Sequence, residues 1–216
     1  MNKNQETFID LSTSGDFFAK YDYAIKQPIK WKIKRFIDVS NAFAGLVLLF
    51  PLLIACGIAI KKESDGPVIF KQERIGFHGK TFTLYKFRTM HINSDESPVI
   101  NPKTDSRITN IGKFLRKYSI DELPQLVNIL KGDMSLVGPR PIRSKLFTEI
   151  QSKNPDFQLR FATKPGLRLN IGRMDNGAFN QEIHTIERNY IENWSLKNDL
   201  SIFLSLVSDT IRGRNY

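Results

Sequence analysis

Asp121 and Glu122 are adjacent carboxylates bracketed by Arg116 on one side and Arg140 on the other. The run Ser119-Ile-Asp-Glu-Leu-Pro predicts a helix start, which places both acids in its first turn. A carboxylate there is held ionised by the positive end of the helix dipole, and the same end can hold a phosphate. Arg116 and Arg140 add planar forks that match phosphate oxygens, so the grouping suits a diphosphate. An ionised aspartate can attack phosphorus to give an acyl phosphate. A divalent ion would then be needed to neutralise two approaching anions. A plainer reading stands beside this one. Asp-Glu in a first turn is ordinarily a capping device, and Pro139-Arg140-Pro141 is ordinarily a rigid turn. Their joint arrangement in one chain favours the chemical reading.

The elements that must carry these residues follow from patterning. Ser119 and Glu122 have capping-box spacing, whereas Pro124 suits an N-cap nearer Asp121; the two registers stay open. Leu123, Leu126, Val127 and Leu130 form one apolar face, and Gly132 is a C-terminal stop. Upstream, residues 107–118 put Ile108, Ile111, Leu115 and Tyr118 at helical spacing, with Lys113, Arg116 and Lys117 elsewhere. Residues 67–70 and 81–87, around a turn at Gly76–Gly79, predict a β-hairpin or paired extended segments. Residues 93–106 hold turn-formers and predict a loop. Residues 182–194 and 196–211 predict two helices. In the second, Leu196, Leu200, Phe203, Leu204, Val207 and Ile211 make a stripe that core packing explains.

The run Val39–Ile60 carries no charge. As one straight helix it would measure roughly 33 Å, enough to cross a bilayer core. Its long polar flank argues against a cleaved signal peptide. A single span, a helix that enters the membrane and returns, and a kinked core helix remain in competition. Pro51 sits mid-run and breaks the helix ladder, leaving halves of about 10 residues, too short to span. Lys30, Lys32, Lys34 and Arg35 precede the run, and Lys61 and Lys62 follow it. Positive flanks prefer the cytoplasmic face, so both ends on that face satisfy both clusters. Residues 1–15 are polar. Residues 16–26 put Phe17, Tyr21, Ala24 and Ile25 on one helical face, suited to a membrane interface or to the core.

The chain has 216 residues, 41% hydrophobic and 25% charged, enough for one folded domain. Its net charge of +10 calls for an anionic partner: nucleic acid, acidic headgroups or a phosphorylated substrate. Cys56 is the one cysteine, so there is no disulfide framework, and a reducing compartment is expected. His78, His91 and His184 are scattered without zinc-site spacing. No aromatic-basic nucleic-acid signature is present, so nucleic acid is not the expected partner.

Five blocks resemble one family: Lys34-Arg35-Phe-Ile-Asp38, G-P-V-I-F-K-Q-E-R-I-G from Gly66, Y-K-F-R-T-M from Tyr85, the long run from Ser119 to Pro141, and Y-I-E-N-W-S-L from Tyr190. Together they identify the chain, from about residue 31 to its C-terminus, as similar to the bacterial sugar transferases, the monotopic phosphoglycosyl transferases. The resemblance implies a re-entrant helix broken at Pro51 and a monotopic protein on the cytosolic face of the bacterial inner membrane. It implies Asp121 as the nucleophile of a covalent phosphosugar intermediate, with release of a nucleoside monophosphate. Glu122 would be its dyad partner, both near Mg2+. Lys86, Arg116, Pro139, Arg140 and Pro141 would help bind phosphates or the nucleotide, and Arg173 would occupy the position of a family arginine. The donor would be a nucleotide diphosphate sugar and the acceptor a polyprenyl phosphate, usually undecaprenyl phosphate.

Three departures stand out. Phe50 replaces the serine that often precedes the membrane proline. The segment after Pro165-Gly166 reads L-R-L-N-I-G-R, shorter than the family pattern and without its Thr and Gln. Glu187 stands where an aspartate is common.

The expected fold is mixed α/β and mostly helical. It comprises an N-terminal extension (1–30), a membrane-associated re-entrant helix (31–62), and a cytosolic catalytic domain (63–216) with a short β-hairpin and amphipathic interfacial helices. Larger relatives carry several membrane spans ahead of this unit, and the resemblance implies that this chain belongs with the minimal forms; a homodimer is one arrangement left open. The competing functions are a membrane-anchored basic binding protein, a regulatory relative without catalysis, and a phosphohydrolase in which water accepts the group.

Overall fold

The computed structural model describes residues 21–92, 94, 104–151, 154–169 and 181–212. The expected face of residues 16–26 reduces to a short helix, α1 (Tyr23–Lys26), in which Tyr23 is buried and Ile25 points outward; Phe17 lies outside the described residues.

The charge-free run folds as two helices, α2 (Pro28–Leu48) and α3 (Phe50–Glu63), bent by 62° at Leu49. Pro51 sits in the first turn of α3, where its missing N–H needs no partner. The break therefore falls before the proline. The first arm is longer than the apolar run because it reaches back to Pro28, with an exposed apolar face at Ile29, Ile33 and Phe36. That face continues through Phe43, Val47, Leu48, Phe50, Ile54 and Ile58. Among the described residues no single helix is long and apolar enough to cross a membrane, whereas this bent pair is by length and composition.

Two of the four basic residues ahead of the run have folded-state partners. Lys34 is buried and donates to Asp199 (2.6 Å) and the Val137 carbonyl (3.2 Å). Arg35 donates to the Ile129 and Leu130 carbonyls (2.6 and 3.1 Å), at the negative end of a later helix. Lys30 and Lys32 are the exposed pair.

The hairpin forms as expected: β1 (Ile69–Ile75) pairs antiparallel with β2 (Thr81–Phe87), so that Phe70 opposes Lys86 and Arg74 opposes Phe82. Helix α4 (Asn110–Lys117) starts later than its periodicity suggested, because Ile108 bridges to Met90 in extended backbone. The Thr109 side chain accepts from Gly112 N (2.9 Å), and the Glu63 carboxylate at the end of α3 accepts from Asn110 N and Ile111 N (2.7 and 2.9 Å). Residues 93 and 95–103 of the expected loop lie outside the described residues.

After a 3-10 turn at Ile120–Glu122 comes α5 (Gln125–Lys131), then β3 (Ser135–Val137), α6 (Ser144–Gln151), a 3-10 stretch at Pro155–Ala162, and β4 (Gly166–Arg168), which pairs parallel with β3. Two two-stranded sheets and two isolated bridges, Ile75–Ile142 and Met90–Ile108, are the β content among the described residues of a mostly helical chain.

Helices α7 (Gln181–Glu192) and α8 (Leu196–Arg212) close the order. The apolar stripe of α8 is not simply core. Leu200, Leu204 and Val207 are exposed, while Asp199 and Ile202 turn inward and Leu196 and Phe203 are partly covered. The Ile211 side chain lies outside the described positions. The inward face is set by Asp199, which also accepts from Tyr190 Oη (2.9 Å) and Trp194 Nε1 (3.0 Å).

The main core gathers Ala42, Leu84, Ile129, Met134, Phe147 and Phe157 with their neighbours. A smaller one, Cys56, Ile60, Phe87 and Leu115, lies under α3 and receives Ile120. The residue before Asp121 is thereby packed against the bent pair.

Candidate active site

The chain from Arg116 to Gly132 turns sharply. Ser119 adopts the left-handed conformation (φ 52°), and Ile120–Glu122 follow as a 3-10 turn before Pro124 opens α5. Neither expected register holds. Ser119 makes no side-chain cap, and the acids precede α5 by a turn. The reason is local. Pro124 has no N–H to be capped and opens α5 behind the acids, with Leu123 before it still in helical backbone (φ −56°, ψ −35°). The Glu122 carboxylate is engaged by Arg140 (2.5 Å) instead of reaching back to the helix start. Of the expected apolar face, Leu126 is buried and Leu123 and Leu130 pack on the core. Val127 borders an open apolar groove of about 660 Å3 with Leu46, Leu53, Ile58 and Pro124. Gly132 does end the helix, with φ 96°.

Asp121 is 5% exposed. Its surroundings are cationic: the Lys86 ammonium feels the charges of Asp121, Arg116, Arg74 and Arg140. Burial lowers the Lys86 pKa to about 8, with Asp121 pulling it back up and the three arginines adding to the fall. Lys86 also lies over the Phe70 ring, 5.1 Å from its centroid. Arg116 is buried at the last turn of α4, where its Nε donates to Thr89 Oγ1 (2.8 Å). Arg140 is half-exposed and binds both oxygens of Glu122 (2.5 and 3.4 Å). The Glu122 charge raises the Arg140 pKa further, and Asp121 adds to the rise.

The loop that presents Arg140 is held almost entirely through its carbonyls. Pro139 O accepts from Gly166 N (2.9 Å), Arg140 O from Arg160 Nη2 (2.7 Å), Pro141 O from Arg74 Nη1 (3.2 Å), and Ile142 O from Ile75 N (2.9 Å). Gly138 permits the close approach, since a Cβ there would collide with the Lys164 carbonyl. Pro139 and Pro141 are themselves buried, so they stiffen the turn and Arg140 is its one side chain facing the site. Arg160 is buried against Glu187 (2.9 Å); burial raises the Glu187 pKa and lowers that of Arg160, and each charge opposes the other's shift. The position where Glu187 replaces an aspartate is thus beneath Arg140.

The structure brings Asp121, Glu122, Lys86, Arg116 and Arg140 together, with Pro139 and Pro141 behind. Arg173 lies outside the described residues. Pro51 is remote from this cluster and belongs to the helix break. Sequence reasoning missed Arg74, although it stands in the quoted run from Gly66; the signal was its place on the hairpin twelve residues before Lys86. It also missed Arg160 and Glu187 as the support of Arg140. Among the described residues no group of three or more His, Cys, Asp or Glu side chains could hold a metal ion.

Residues 29–213 match the family described as bacterial sugar transferase. A UDP-glucose:undecaprenyl-phosphate glucose-1-phosphate transferase of Caulobacter vibrioides is 39% identical over 189 residues, spanning 84% of this chain and 71% of that protein. A putative undecaprenyl-phosphate N-acetylgalactosaminyl 1-phosphate transferase of Bacillus subtilis is 45% identical over 132 residues, spanning 61% and 74%. An undecaprenyl-phosphate galactose phosphotransferase of Salmonella typhimurium is 35% identical over 198 residues, spanning 83% of this chain and 40% of its own. The matched segment opens in the first turn of α2 and runs past the end of α8, taking in both arms of the bend, the hairpin and the cationic pocket. The chain belongs to the bacterial sugar transferase family and is a transferase enzyme.

Proposed function

We propose that the chain moves a sugar phosphate from a nucleotide diphosphate sugar onto undecaprenyl phosphate, as an initiating step of polysaccharide or glycoprotein glycan assembly. The observation that carries this is the buried Asp121 carboxylate among Lys86, Arg74, Arg116 and Arg140, on a turn whose Ile120 packs against the bent apolar pair. A carboxylate so surrounded can approach a diphosphate whose negative charge the same cations neutralise.

In the first step an Asp121 oxygen bonds to the sugar-bearing phosphorus. The bond from that phosphorus to the diphosphate bridging oxygen breaks, and the nucleoside monophosphate leaves with the electron pair. In the second step a phosphate oxygen of the lipid attacks the same phosphorus. The acyl phosphate bond breaks, Asp121 is regenerated, and the sugar leaves on a lipid diphosphate. Arg140, fixed by four successive backbone contacts, steadies Glu122 beside the reacting carboxylate.

Two neighbouring carboxylates fit Mg2+, which accepts one or two protein carboxylates and completes its shell with substrate phosphates and water. Asp121 and Glu122 would hold it, and it would supply charge neutralisation to the diphosphate. Lys86 and Arg116 would bind and orient the phosphates, while Arg74 holds the Arg140 loop through Pro141 O.

The exposed apolar face of the bent pair supports a re-entrant segment on the cytosolic face of the membrane, with Lys30 and Lys32 at one end and Lys61 and Lys62 at the other. The deciding experiment incubates purified protein in lipid with Mg2+ and a panel of radiolabelled nucleotide sugars, with and without undecaprenyl phosphate. Release of nucleoside monophosphate and a labelled adduct at Asp121, both lost in Asp121→Asn, are expected. Turnover that survives Asp121→Asn refutes the nucleophile assignment, and turnover that needs no lipid acceptor points to a hydrolase.

A further inference from the structure

Asn128 is fully buried in the middle of α5, yet its side chain is polar. All of its amide is used. Oδ1 accepts from Tyr85 N (3.1 Å), and Nδ2 donates to the Thr83 carbonyl (2.7 Å) and to Asp133 Oδ2 (3.2 Å). Its own carbonyl accepts from Gly132 N, Asp133 N and Met134 N (3.1, 3.0 and 3.3 Å), which closes the helix C-terminus.

Thr83 and Tyr85 lie on β2, whose one strand partner among the described residues is β1. Their bonding groups directed at Asn128 are those of the free edge of that strand. One side chain therefore does what a third strand would do: it supplies an acceptor and a donor to alternate residues of an edge. Tyr85 immediately precedes Lys86, and α5 continues directly from the turn that carries Asp121. The clamp thus ties together the two backbone segments whose charged side chains meet in the site, and through Asp133 it reaches the turn leading to β3 and the Arg140 loop. An apolar residue of the same size would fill the space and take from Tyr85 N and Thr83 O the partners they have here.

We propose that Asn128 is a positioning residue, whose amide sets where the Lys86 ammonium stands relative to the Asp121 carboxylate during transfer. The inference rests on the reading of Asp121 as nucleophile given above. Displacing Lys86 leaves the other cations able to bind the donor but misaligns the phosphorus for attack. A misplacement of about 1 Å costs on the order of 100-fold in rate.

The test compares Asn128→Ala with Ile150→Ala, a core truncation on α6 outside the clamp, in full-length protein reconstituted in lipid. Melting temperature, kcat and KM for nucleoside monophosphate release, and the alkaline limb of the pH profile are read for each. The expected result is a fall in kcat on the order of 100-fold in Asn128→Ala, with KM little changed and the alkaline limb displaced, while Ile150→Ala loses melting temperature but keeps the wild-type kcat and limb. Folded Asn128→Ala with wild-type kcat and limb overturns the proposal, as does an equal loss in Ile150→Ala.

Should Asn128→Ala fail to fold, Asn128→Asp carries the test. Its ionised oxygen would face the Thr83 carbonyl and the Asp133 carboxylate, and protonation restores the donor. Its kcat relative to wild type should therefore rise as pH falls; a constant ratio overturns the proposal. Failure of the underlying reading is separable, because wild-type protein would then give no labelled adduct at Asp121 whatever Asn128 does.

Discussion

Replacing Lys34 with methionine tests how firmly the first arm of the bend is tied to the catalytic fold. Lys34 is 4% exposed and lies 2.6 Å from Asp199 and 4.0 Å from Asp38. Methionine keeps most of the volume and removes the charge, leaving two buried carboxylates without their cation. Breaking a buried pair costs about 3–5 kcal/mol. Asp199 keeps its bonds from Tyr190 and Trp194, and Asp38 keeps the Leu136 amide at 3.1 Å, so the low end of that range applies. A loss of about 3 kcal/mol in a chain of this size lowers the melting temperature by roughly 6–12 °C. By contrast Arg188, whose pair with Glu192 is 40% exposed on both sides, should cost under about 0.5 kcal/mol when changed to alanine.

The assay is thermal melting of the protein in lipid nanodiscs for Lys34→Met, Asp199→Asn and the double variant. Because Asn at 199 carries no charge to strand, the double variant should lose clearly less than the sum of the singles. A shift for Lys34→Met as small as that of Arg188→Ala, or strict additivity in the double variant, refutes the account.

Burial lowers the Lys86 pKa to about 8, so the ammonium is charged below that pH and discharged above it. Transfer should fall as pH rises through about 8, and Lys86→Arg, which stays charged, should remove that limb from the pH–rate profile; a limb that persists points to another group. Glu122→Gln should lower turnover by about 100-fold. Its melting temperature should barely move, because a half-exposed Arg140 partner contributes no more than about 1 kcal/mol to the fold. Gly132→Ala forces a side chain into positive φ and should cost about 1–2 kcal/mol in a melt, with the hairpin clamp at Asn128 loosening as the turn shifts.

Much of the site was legible because short-range chemistry carries it. Asp121 and Glu122 are neighbours in the chain, and Arg140 announces itself between two prolines. The hairpin was legible for the same reason: β-branched and aromatic runs on either side of a glycine-bounded turn pair locally. The helix registers were not. The apparently good capping box does not form, because Ser119 is left-handed and Arg140, eighteen residues away, takes the Glu122 carboxylate. The stripe on α8 misled because periodicity reports that a face is apolar without saying which side is buried. Asp199, with its three buried hydrogen bonds from Lys34, Tyr190 and Trp194, turned the helix so that three of the stripe's residues point outward.

The sequence by itself determined the classes of element and the candidate site groups: an apolar run interrupted by a proline, a basic chain with two adjacent acids, and a Pro-Arg-Pro turn. These are properties of residue type and near-neighbour spacing, which survive in an unfolded chain. Only the tertiary structure decided which lysines and arginines face solvent and which are internal struts. Lys34 and Arg35 look like membrane flanks in sequence, yet they are consumed by Asp199 and by a helix end. Arg74 and Arg160 look like ordinary surface charge, yet they hold the loop that presents Arg140. A charge acquires its role from the partner that burial brings to it, and those partners lie from twenty to more than a hundred and sixty residues away along the chain.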